Sequence, residues 1–205
     1  MKKAFSFLLA ALVVFSFVAF SNPSAKAAET LSELKARIMS QYGENKQITD
    51  GNYDKSLAVK CVNGTFVGKK DDGIIAYKGI PFVGKQPVGE LRWKAPVEFV
   101  PDDGVYEACY NAKTPCQEED PTEQASFYVQ GEDCLYLNVW KADDKSAEKK
   151  PVMVWIHGGA FEMGGTADPL YELHNFVKEN HDIIAVAITH VQARSIRLLP
   201  PVSPA

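Results

Sequence analysis

The chain has 205 residues, of which 26 are acidic and 22 basic, so its formal net charge at neutral pH is −4. It has no basic cluster and no interleaving of basic with aromatic residues, which argues against a nucleic-acid partner. Hydrophobic residues make up 46% of the sequence, enough for the core of one ordinary domain.

The N-terminus has the pattern of a secretory signal peptide. Two lysines precede an apolar run over residues 4–20, and small residues lead to Ala25-Lys26-Ala27, an A-x-A cleavage site. The alternative is an uncleaved membrane anchor, because the run is close to the minimum length for crossing a bilayer. The helix-breaking Asn22-Pro23 favours cleavage after Ala27. We therefore expect residues 1–27 to be removed and the mature protein to be secreted or periplasmic, with no membrane partner.

A short helix and a β-hairpin are the first elements predicted in the mature chain. Thr30–Glu33 has the sequence of a capping box and predicts a helix that ends near Gly43. Two apolar runs, Leu57–Val62 and Thr65–Val67, flank Asn63-Gly64. This dipeptide predicts a two-residue hairpin turn in which both residues have positive φ.

The rest of the chain predicts a loop, strands and one helix. Ile74–Tyr77 is expected to be a strand, and the Gly- and Pro-rich segment Pro81–Pro101 a long ordered loop whose large apolar side chains, including Trp93, are buried. Further along, the predicted elements are the strands Cys134–Trp140 and Pro151–Ile156, the amphipathic helix Pro169–Asn180 and the strand Asp182–Thr189. Continuous apolar strands joined by a helical crossover indicate a sheet covered on both faces, and therefore an α/β fold.

The segment with the most informative chemistry is Val152–Phe161, in which an apolar strand runs into His157-Gly158-Gly159. Because glycine has no Cβ, such a turn can bring backbone N–H groups close to a substrate carbonyl. Donors of this kind stabilise the oxyanion that develops in acyl transfer, and removing one costs about 3 kcal/mol. A lone Gly-Gly would indicate an ordinary turn, but His-Gly-Gly after an apolar strand resembles the oxyanion loop of α/β-hydrolase esterases.

Three other segments extend this resemblance. They are Gly79–Phe82, Pro87–Trp93 and Glu132–Trp140. Their order and spacing resemble those of type B carboxylesterases, the cholinesterase-like family, and the last is similar to that family's second signature. The resemblance covers Ala58 to Thr189 and identifies residues 28–189 as the N-terminal part of such a domain. It implies an incomplete α/β-hydrolase fold, and an intact enzyme with a nucleophilic Ser, a His and an acidic partner, usually Glu, and without metal or cofactor.

The resemblance also implies roles for individual residues. Gly159 and Ala160 match the two family positions whose backbone amides donate to the oxyanion, and Gly158 allows the turn. The third donor would follow the nucleophilic serine. Arg92 and Glu132 match a structural ion pair of the family, and each lies in an apolar motif where an unpaired charge would be costly.

Export would permit disulfides among the four cysteines of the mature region. The residues alone leave three pairings open. The family resemblance implies a bridge between Cys116 and Cys134, which leaves Cys61 and Cys109 for an expected second bridge.

His174, His181 and His190 are candidates for metal ligands or triad members. His174 and His181 lie on or just after the predicted helix and have no acidic or cysteine partners at ligand spacing, so we expect solvated positions and no metal site. His190 follows a strand, where a triad member could lie, but its sequence context argues against that role.

The family's nucleophile elbow, Gly-x-Ser-x-Gly, does not occur in these 205 residues. Ser195 lies between Arg194 and Ile196 and lacks the glycines that permit the elbow. The chain alone is therefore predicted to be inactive, although its family hydrolyses small-molecule carboxylic esters. The alternative is a non-catalytic cholinesterase-like binding or adhesion protein, against which the retained oxyanion loop argues.

Residues 190–205 depart from the family pattern, which continues after Thr189 with Tyr-Arg, three variable residues and Phe-Gly-Phe. Read one nucleotide later, the codons permitted for 190–199 allow Thr-Tyr-Arg, Leu-Gly-Leu and Phe-Gly-Phe. Our hypothesis is a single-nucleotide frameshift near Thr189, in the gene or in the read. We expect an out-of-frame tail that is disordered from about Val191, and a marginally stable chain that is prone to aggregate.

Overall fold

The computed structural model of the protein describes residues 30–117, 128–144, 146, 148–160 and 162–190. The predictions about the signal peptide, the tail beyond His190 and Ser195 concern residues outside these ranges.

The first helix, α1, spans Leu31–Met39 and begins with the predicted capping box. The Thr30 hydroxyl oxygen accepts a hydrogen bond from the Glu33 amide, and the Glu33 carboxylate accepts one from the Thr30 amide. The helix ends four residues before the predicted Gly43, and its buried side chain is Ile38. The capping-box prediction is confirmed, whereas the predicted helix end was wrong.

The second helix, α2, spans only His174–Glu179, because the first part of the predicted helix forms a 3₁₀ turn instead. Among the described residues, 3₁₀ turns lie at Lys55–Leu57, Gly89–Leu91 and Pro169–Tyr171. No helix within the described ranges is long and apolar enough to cross a membrane.

Eight strands form two sheets within the described residues. They are β1 (Ala58–Cys61), β2 (Gly64–Val67), β3 (Lys69–Asp71), β4 (Ile74–Pro81), β5 (Val105–Glu107), β6 (Tyr136–Ala142), β7 (Val152–Ile156) and β8 (Ile184–Ile188). The small sheet has the order β1-β2-β5, and the large sheet has the order β3-β4-β6-β8-β7. In the large sheet β7 and β8 are parallel, and the other neighbouring pairs are antiparallel.

The predicted β1–β2 hairpin is present, but its turn is shifted by one residue. Cys61 pairs with Gly64, so the two turn residues are Val62 and Asn63. Gly64 has φ 130°, whereas Asn63 has no positive φ, which corrects the prediction that both Asn63 and Gly64 would need one. A Cβ at Gly64 would lie only 3.0 Å from the Tyr106 ring, so close packing as well as φ requires a glycine there.

A second hairpin, between β3 and β4, was missed by the sequence analysis. Its turn is Asp72-Gly73, with φ values of 42° and 77°. Asp-Gly with positive φ at both positions is the combination that favours a two-residue hairpin. The sequence signal for this two-residue turn was therefore present at Asp72-Gly73, in the hairpin that follows β1–β2.

The large sheet has a hydrophobic cluster on each face. On one face α2 packs on the sheet, and this cluster contains Ile74, Trp140, Ala142, Leu173, Val177, Ala185 and Ala187. On the other face the small sheet covers β4, and this cluster contains Phe66, Ile75, Tyr77 and Ala108. The two clusters together fix β4 and β6 at the centre of the protein.

The prediction of a sheet covered on both faces is wrong for β7. This strand lies at the edge of the large sheet, and no described strand pairs with its outer side. Val152, Val154 and Ile156 are 57%, 56% and 63% exposed. The reason is geometric, because α2 covers only the opposite face and the small sheet reaches only β4 and β6.

Several strands end at one edge of the large sheet, which we call the site edge. Ile156 pairs with Ile188, Leu137 pairs with Ile188, and Pro81 pairs with Tyr136. The carboxyl ends of β4, β7 and β8 and the start of β6 therefore lie side by side. In open α/β sheets, ligand sites form at the carboxyl ends of the parallel strands.

Candidate active site

A tight turn follows β7 at the site edge, and we call residues Gly158 to Gly164 the glycine loop. Gly159 has φ 130° and Ala160 has φ 54°. The Gly159 carbonyl accepts hydrogen bonds from the amides of Glu162 (2.9 Å) and Met163 (3.0 Å). A Cβ at Gly159 would overlap the Met163 carbonyl oxygen, so only glycine allows the chain to close on itself here.

Two adjacent donors are left unpaired by this closure. Neither the Gly159 amide nor the Ala160 amide donates a hydrogen bond to any residue that the structure describes. Backbone donors in folded proteins are normally paired with protein or water. These two N–H groups are neighbours in the turn that follows β7.

The far end of the glycine loop is held by a side chain that the sequence analysis did not identify. Gln117 is buried and forms two reciprocal hydrogen bonds with the Gly164 peptide. Its Oε1 accepts from the Gly164 amide at 2.8 Å, and its Nε2 donates to the Gly164 carbonyl at 3.1 Å. No local pattern identifies this contact, because the two residues are 47 positions apart.

His157, at the start of the loop, is buried and anchors it. Its Nδ1 donates to the Gly158 carbonyl at 2.9 Å, and its ring stacks on those of Tyr171 (6.1 Å) and His190 (4.3 Å). Burial lowers the pKa of His157, an effect that the Gly158 hydrogen bond partly opposes and His190 adds to. The imidazole holds the start of the loop through this hydrogen bond to Gly158. His190 lies next to the His157 ring.

The other two histidines lie at α2 and just beyond it. His174 is the first residue of α2, and His181 is exposed beyond its end. Within the described ranges no three His, Cys, Asp or Glu side chains are grouped so that they could hold a metal ion.

The four cysteines are thiols in this structure. Burial raises the pKa of Cys134 to about 12, and the neighbouring Cys116 thiol contributes to this shift. Burial raises the pKa of Cys116 as well. The segments that carry the two cysteines lie side by side, because Thr114 pairs with Gln130.

The expected second bridge between Cys61 and Cys109 is incompatible with the fold. Cys61 ends β1 and Cys109 follows β5, and these strands lie on opposite sides of β2, about 10 Å apart. Cys61 pairs with Gly64, whereas Cys109 follows Glu107, which pairs with Val67 at the other end of β2. A disulfide needs Cα atoms about 4.4 to 6.8 Å apart, so this expectation was wrong.

Arg92 and Glu132 form an ion pair through Arg92 Nε and Glu132 Oε1. The guanidinium carbon also lies 4.8 Å from the centre of the Trp93 ring. Trp93 itself has φ 64° and is 56% exposed, so the prediction that it would be buried was wrong. The ring lies over its charged neighbour instead of entering the core.

A buried asparagine in β6 shapes the adjacent strand at the site edge. Asn138 Oδ1 accepts from the Gly79 amide at 2.8 Å, and Asn138 Nδ2 donates to Asn111 Oδ1 at 2.8 Å. The β4–β6 register shifts between Tyr77 and Ile80, and Gly79 has φ 72° at that irregularity. A polar residue inside an otherwise apolar strand was the signal that could have indicated this role.

The topology and the turn after β7 define an α/β-hydrolase-type fold. The Carboxylesterase family model matches residues 55–190, and the chain belongs to this family. The predicted family and fold class are thus confirmed. The sites implied by the resemblance are a separate question.

The chain is similar to several known esterases. It is 36% identical to the para-nitrobenzyl esterase of Bacillus subtilis over 133 residues, which cover 62% of this chain and 26% of the relative. It is 40% identical to a probable cholinesterase of Acanthamoeba polyphaga mimivirus over 125 residues, which cover 60% and 21%. The solved structure of a thermophilic PNB esterase matches with a TM-score of 0.62 and 33% identity, covering 68% of this chain and 29% of that one. The chain thus spans about a quarter of the length of these relatives.

Proposed function

We propose that the glycine loop is the oxyanion-binding element of a carboxylic ester hydrolase that works through a serine acyl-enzyme. The observation that carries the proposal is the pair of adjacent amides at Gly159 and Ala160, unpaired among the described residues and fixed by a turn that only glycine permits. Preorganised donors of this kind stabilise charge that develops on a carbonyl oxygen.

The amides act in both halves of the reaction. A serine Oγ bonds to the ester carbonyl carbon while a histidine takes the serine proton, and the carbonyl oxygen becomes an oxyanion between the Gly159 and Ala160 N–H groups. Collapse breaks the bond to the alcohol oxygen, which receives that proton. Water then bonds to the acyl carbon while the histidine takes a proton from it, and collapse of this second oxyanion breaks the bond to the serine Oγ, which receives that proton as the acid leaves.

The nucleophile elbow that would supply the serine for the first step is not present in these 205 residues. The 205 residues contain no Gly-x-Ser-x-Gly, so we propose that the chain alone does not hydrolyse esters. Relatives carry names such as para-nitrobenzyl esterase and fumonisin B1 esterase. On this basis the intact form acts on small-molecule carboxylic esters.

Three further proposals concern the state of the chain. The signal peptide is removed after Ala27, and the mature protein is exported. The Cys116 and Cys134 thiols form a disulfide after export, which the pairing of the neighbouring residues Thr114 and Gln130 supports. Residues 190–205 are an out-of-frame tail.

A chimera tests the oxyanion role directly. Residues 55–189 would replace the matching part of the Bacillus subtilis para-nitrobenzyl esterase, which would supply the missing serine. Lactic acid at position 160, introduced by nonsense suppression, replaces the Ala160 N–H with an oxygen and leaves the side chain unchanged. We expect kcat for an activated ester to fall about 100-fold or more.

The matched control is the same replacement at Ala95, an exposed residue of the loop after β4. It should leave kcat within about twofold, as expected for a surface change. Equal kcat for the Ala160 and Ala95 replacements in an active chimera would refute the oxyanion role.

A further inference from the structure

Gln117 makes an unusually complete set of contacts for a side chain outside the glycine loop. Its Nε2 donates to the Pro115 carbonyl (3.0 Å) and the Gly164 carbonyl (3.1 Å), while its Oε1 accepts from the Gly164 amide (2.8 Å). Its own backbone amide donates to Gln130 Oε1 at 2.8 Å. The Gln117 backbone is therefore held by Gln130. Its side-chain amide bonds to backbone groups, two of which belong to Gly164.

Gly164 in turn packs against the start of the loop. It has φ 105°, and a Cβ there would lie 2.7 Å from the Gly158 carbonyl oxygen and 2.8 Å from His157 Nδ1. The Gly164 backbone is thus packed against the hydrogen bond that joins His157 to Gly158. A displacement of Gly164 would loosen the residue that precedes the two unpaired donors.

We propose that Gln117 is a positioning residue that holds Gly164 against Gly158 and thereby sets the direction of the Gly159 and Ala160 amides. The inference rests on the proposed oxyanion role of these amides. Gln117 does not touch the reacting atoms and acts only through the loop.

The competing interpretation is that Gln117 is an ordinary buried amide whose hydrogen bonds satisfy it and nothing more. The chain contains a natural control for that case. Gln86 forms the same reciprocal pair of hydrogen bonds with Leu135. Its Oε1 accepts from the Leu135 amide (2.9 Å), and its Nε2 donates to the Leu135 carbonyl (3.1 Å). This second pair lies outside the glycine loop.

The experiment compares Q117A with Q86A in the full chain. Amide hydrogen exchange is measured at Glu162, Met163 and Gly164, together with the ¹⁵N–¹H signals of Gly159 and Ala160 and the NMR titration of the His157 ring. These readouts need no ester turnover, so a failure of this inference is separate from a failure of the oxyanion proposal, which the chimera decides.

We expect Q117A to accelerate exchange about tenfold at Gly164, as the loss of one net hydrogen bond predicts. We also expect several-fold faster exchange at Glu162 and Met163, and shifted Gly159 and Ala160 signals. The His157 titration should move up towards its ordinary midpoint, because the ring gains solvent. Q86A should accelerate amide exchange at Leu135 alone and leave the exchange and signals of the glycine loop as in the parent chain.

Q117E keeps the acceptor for the Gly164 amide and loses the donor to the Gly164 carbonyl, so it should give an intermediate effect. If Q117A unfolds the whole chain, fast amide exchange at Trp140 in β6 will reveal it. Q117E is then the variant that tests the inference. The inference is overturned if Gly164 alone responds, if Q86A changes the loop equally, or if a folded Q117E has parental signals at Gly159 and Ala160.

Discussion

The ammonium nitrogen of Lys78 lies 2.9 Å from Glu172 Oε2, which joins β4 to the segment leading into α2. The other carboxylate oxygen, Glu172 Oε1, accepts from the Trp140 indole N–H at 2.9 Å. Lys78 also lies 5.8 Å from the centre of the Trp140 ring. One carboxylate therefore connects the crossover between β7 and β8 to the two central strands.

Removing this carboxylate should destabilise the chain. The Lys78 and Glu172 side chains are only 12% and 24% exposed. Glu172→Ala therefore leaves an indole N–H without its partner and a largely buried ammonium with an uncharged partner, Gln41 Oε1 at 3.2 Å. We expect a loss of about 2 kcal/mol in the free energy of unfolding, below the cost of breaking a fully buried pair. Urea denaturation of the purified chain measures this loss.

The control for that measurement is the surface pair Lys60–Asp103, whose side chains are 70% and 92% exposed. Asp103→Ala should leave the free energy of unfolding close to that of the parent chain, since water and salt screen exposed pairs. Equal losses in the two variants would show that the Glu172 contacts add nothing.

Cys116 and Cys134 should be disulfide-bonded in oxidised material. The bridge would close a loop of about 18 residues and stabilise the chain by about 3 kcal/mol in the chain-entropy estimate. Peptide mapping without reductant should find the two cysteines in one linked peptide pair. Cys61, which is exposed, should react with a thiol reagent in the native chain and serves as the internal control. Free thiols at both Cys116 and Cys134 after oxidation would contradict this prediction.

His157 should make the chain less stable in acid. Burial lowers its pKa below the ordinary value of about 6.5, so the unfolded chain binds the proton more tightly than the folded chain does. The free energy of unfolding should therefore fall as the pH decreases through about 6.5 and should level off only below the folded pKa. His190, Asp168 and Tyr171 are the other titratable groups around this ring.

Variants at two histidines isolate this effect. His157→Gln should flatten the pH dependence of the free energy of unfolding between about pH 7 and 5, because the buried titratable ring is gone. His181→Gln should retain the parental slope, since His181 is exposed. A parental slope in His157→Gln would assign the acid sensitivity to other groups.

The outer side of β7 should drive self-association. Val152, Val154 and Ile156 are exposed beside main-chain groups that no described strand pairs, and such edges favour pairing between chains. Val154→Lys places a charge at the centre of this edge and should shift the purified chain from large species towards monomer in light scattering. Val88→Lys changes an exposed valine in a loop and should leave the distribution unchanged. A parent chain that is monomeric at high concentration would contradict the prediction.

Local patterns in the sequence predicted the elements well. The capping box at Thr30, the strand before His157 and the turn at Gly158-Gly159 each depend on residues within a few positions of one another. The hairpin at Asn63-Gly64 shows the limit of this reasoning, because the β1–β2 ladder pairs Cys61 with Gly64 and so places the turn one residue earlier.

Contacts between distant segments could not be predicted in the same way. The Lys78–Glu172 pair spans 94 positions and the Gln117–Gly164 pair spans 47, and nothing in the local pattern of either residue identifies its partner. The Cys61–Cys109 expectation failed for the same reason, because sequence cannot tell that β2 separates the two strands. The exposure of β7 likewise depends on which elements reach each face of the sheet.

The most direct test of the account measures the chain alone with an activated short-chain ester and a serine-directed phosphonate. A glycine loop without a nucleophile cannot form an acyl-enzyme, so we expect hydrolysis at the buffer rate, no burst of released alcohol and no phosphonate adduct by mass spectrometry. Saturable turnover above buffer together with a covalent adduct on Ser195 would contradict the account, because it would place a working nucleophile in this chain.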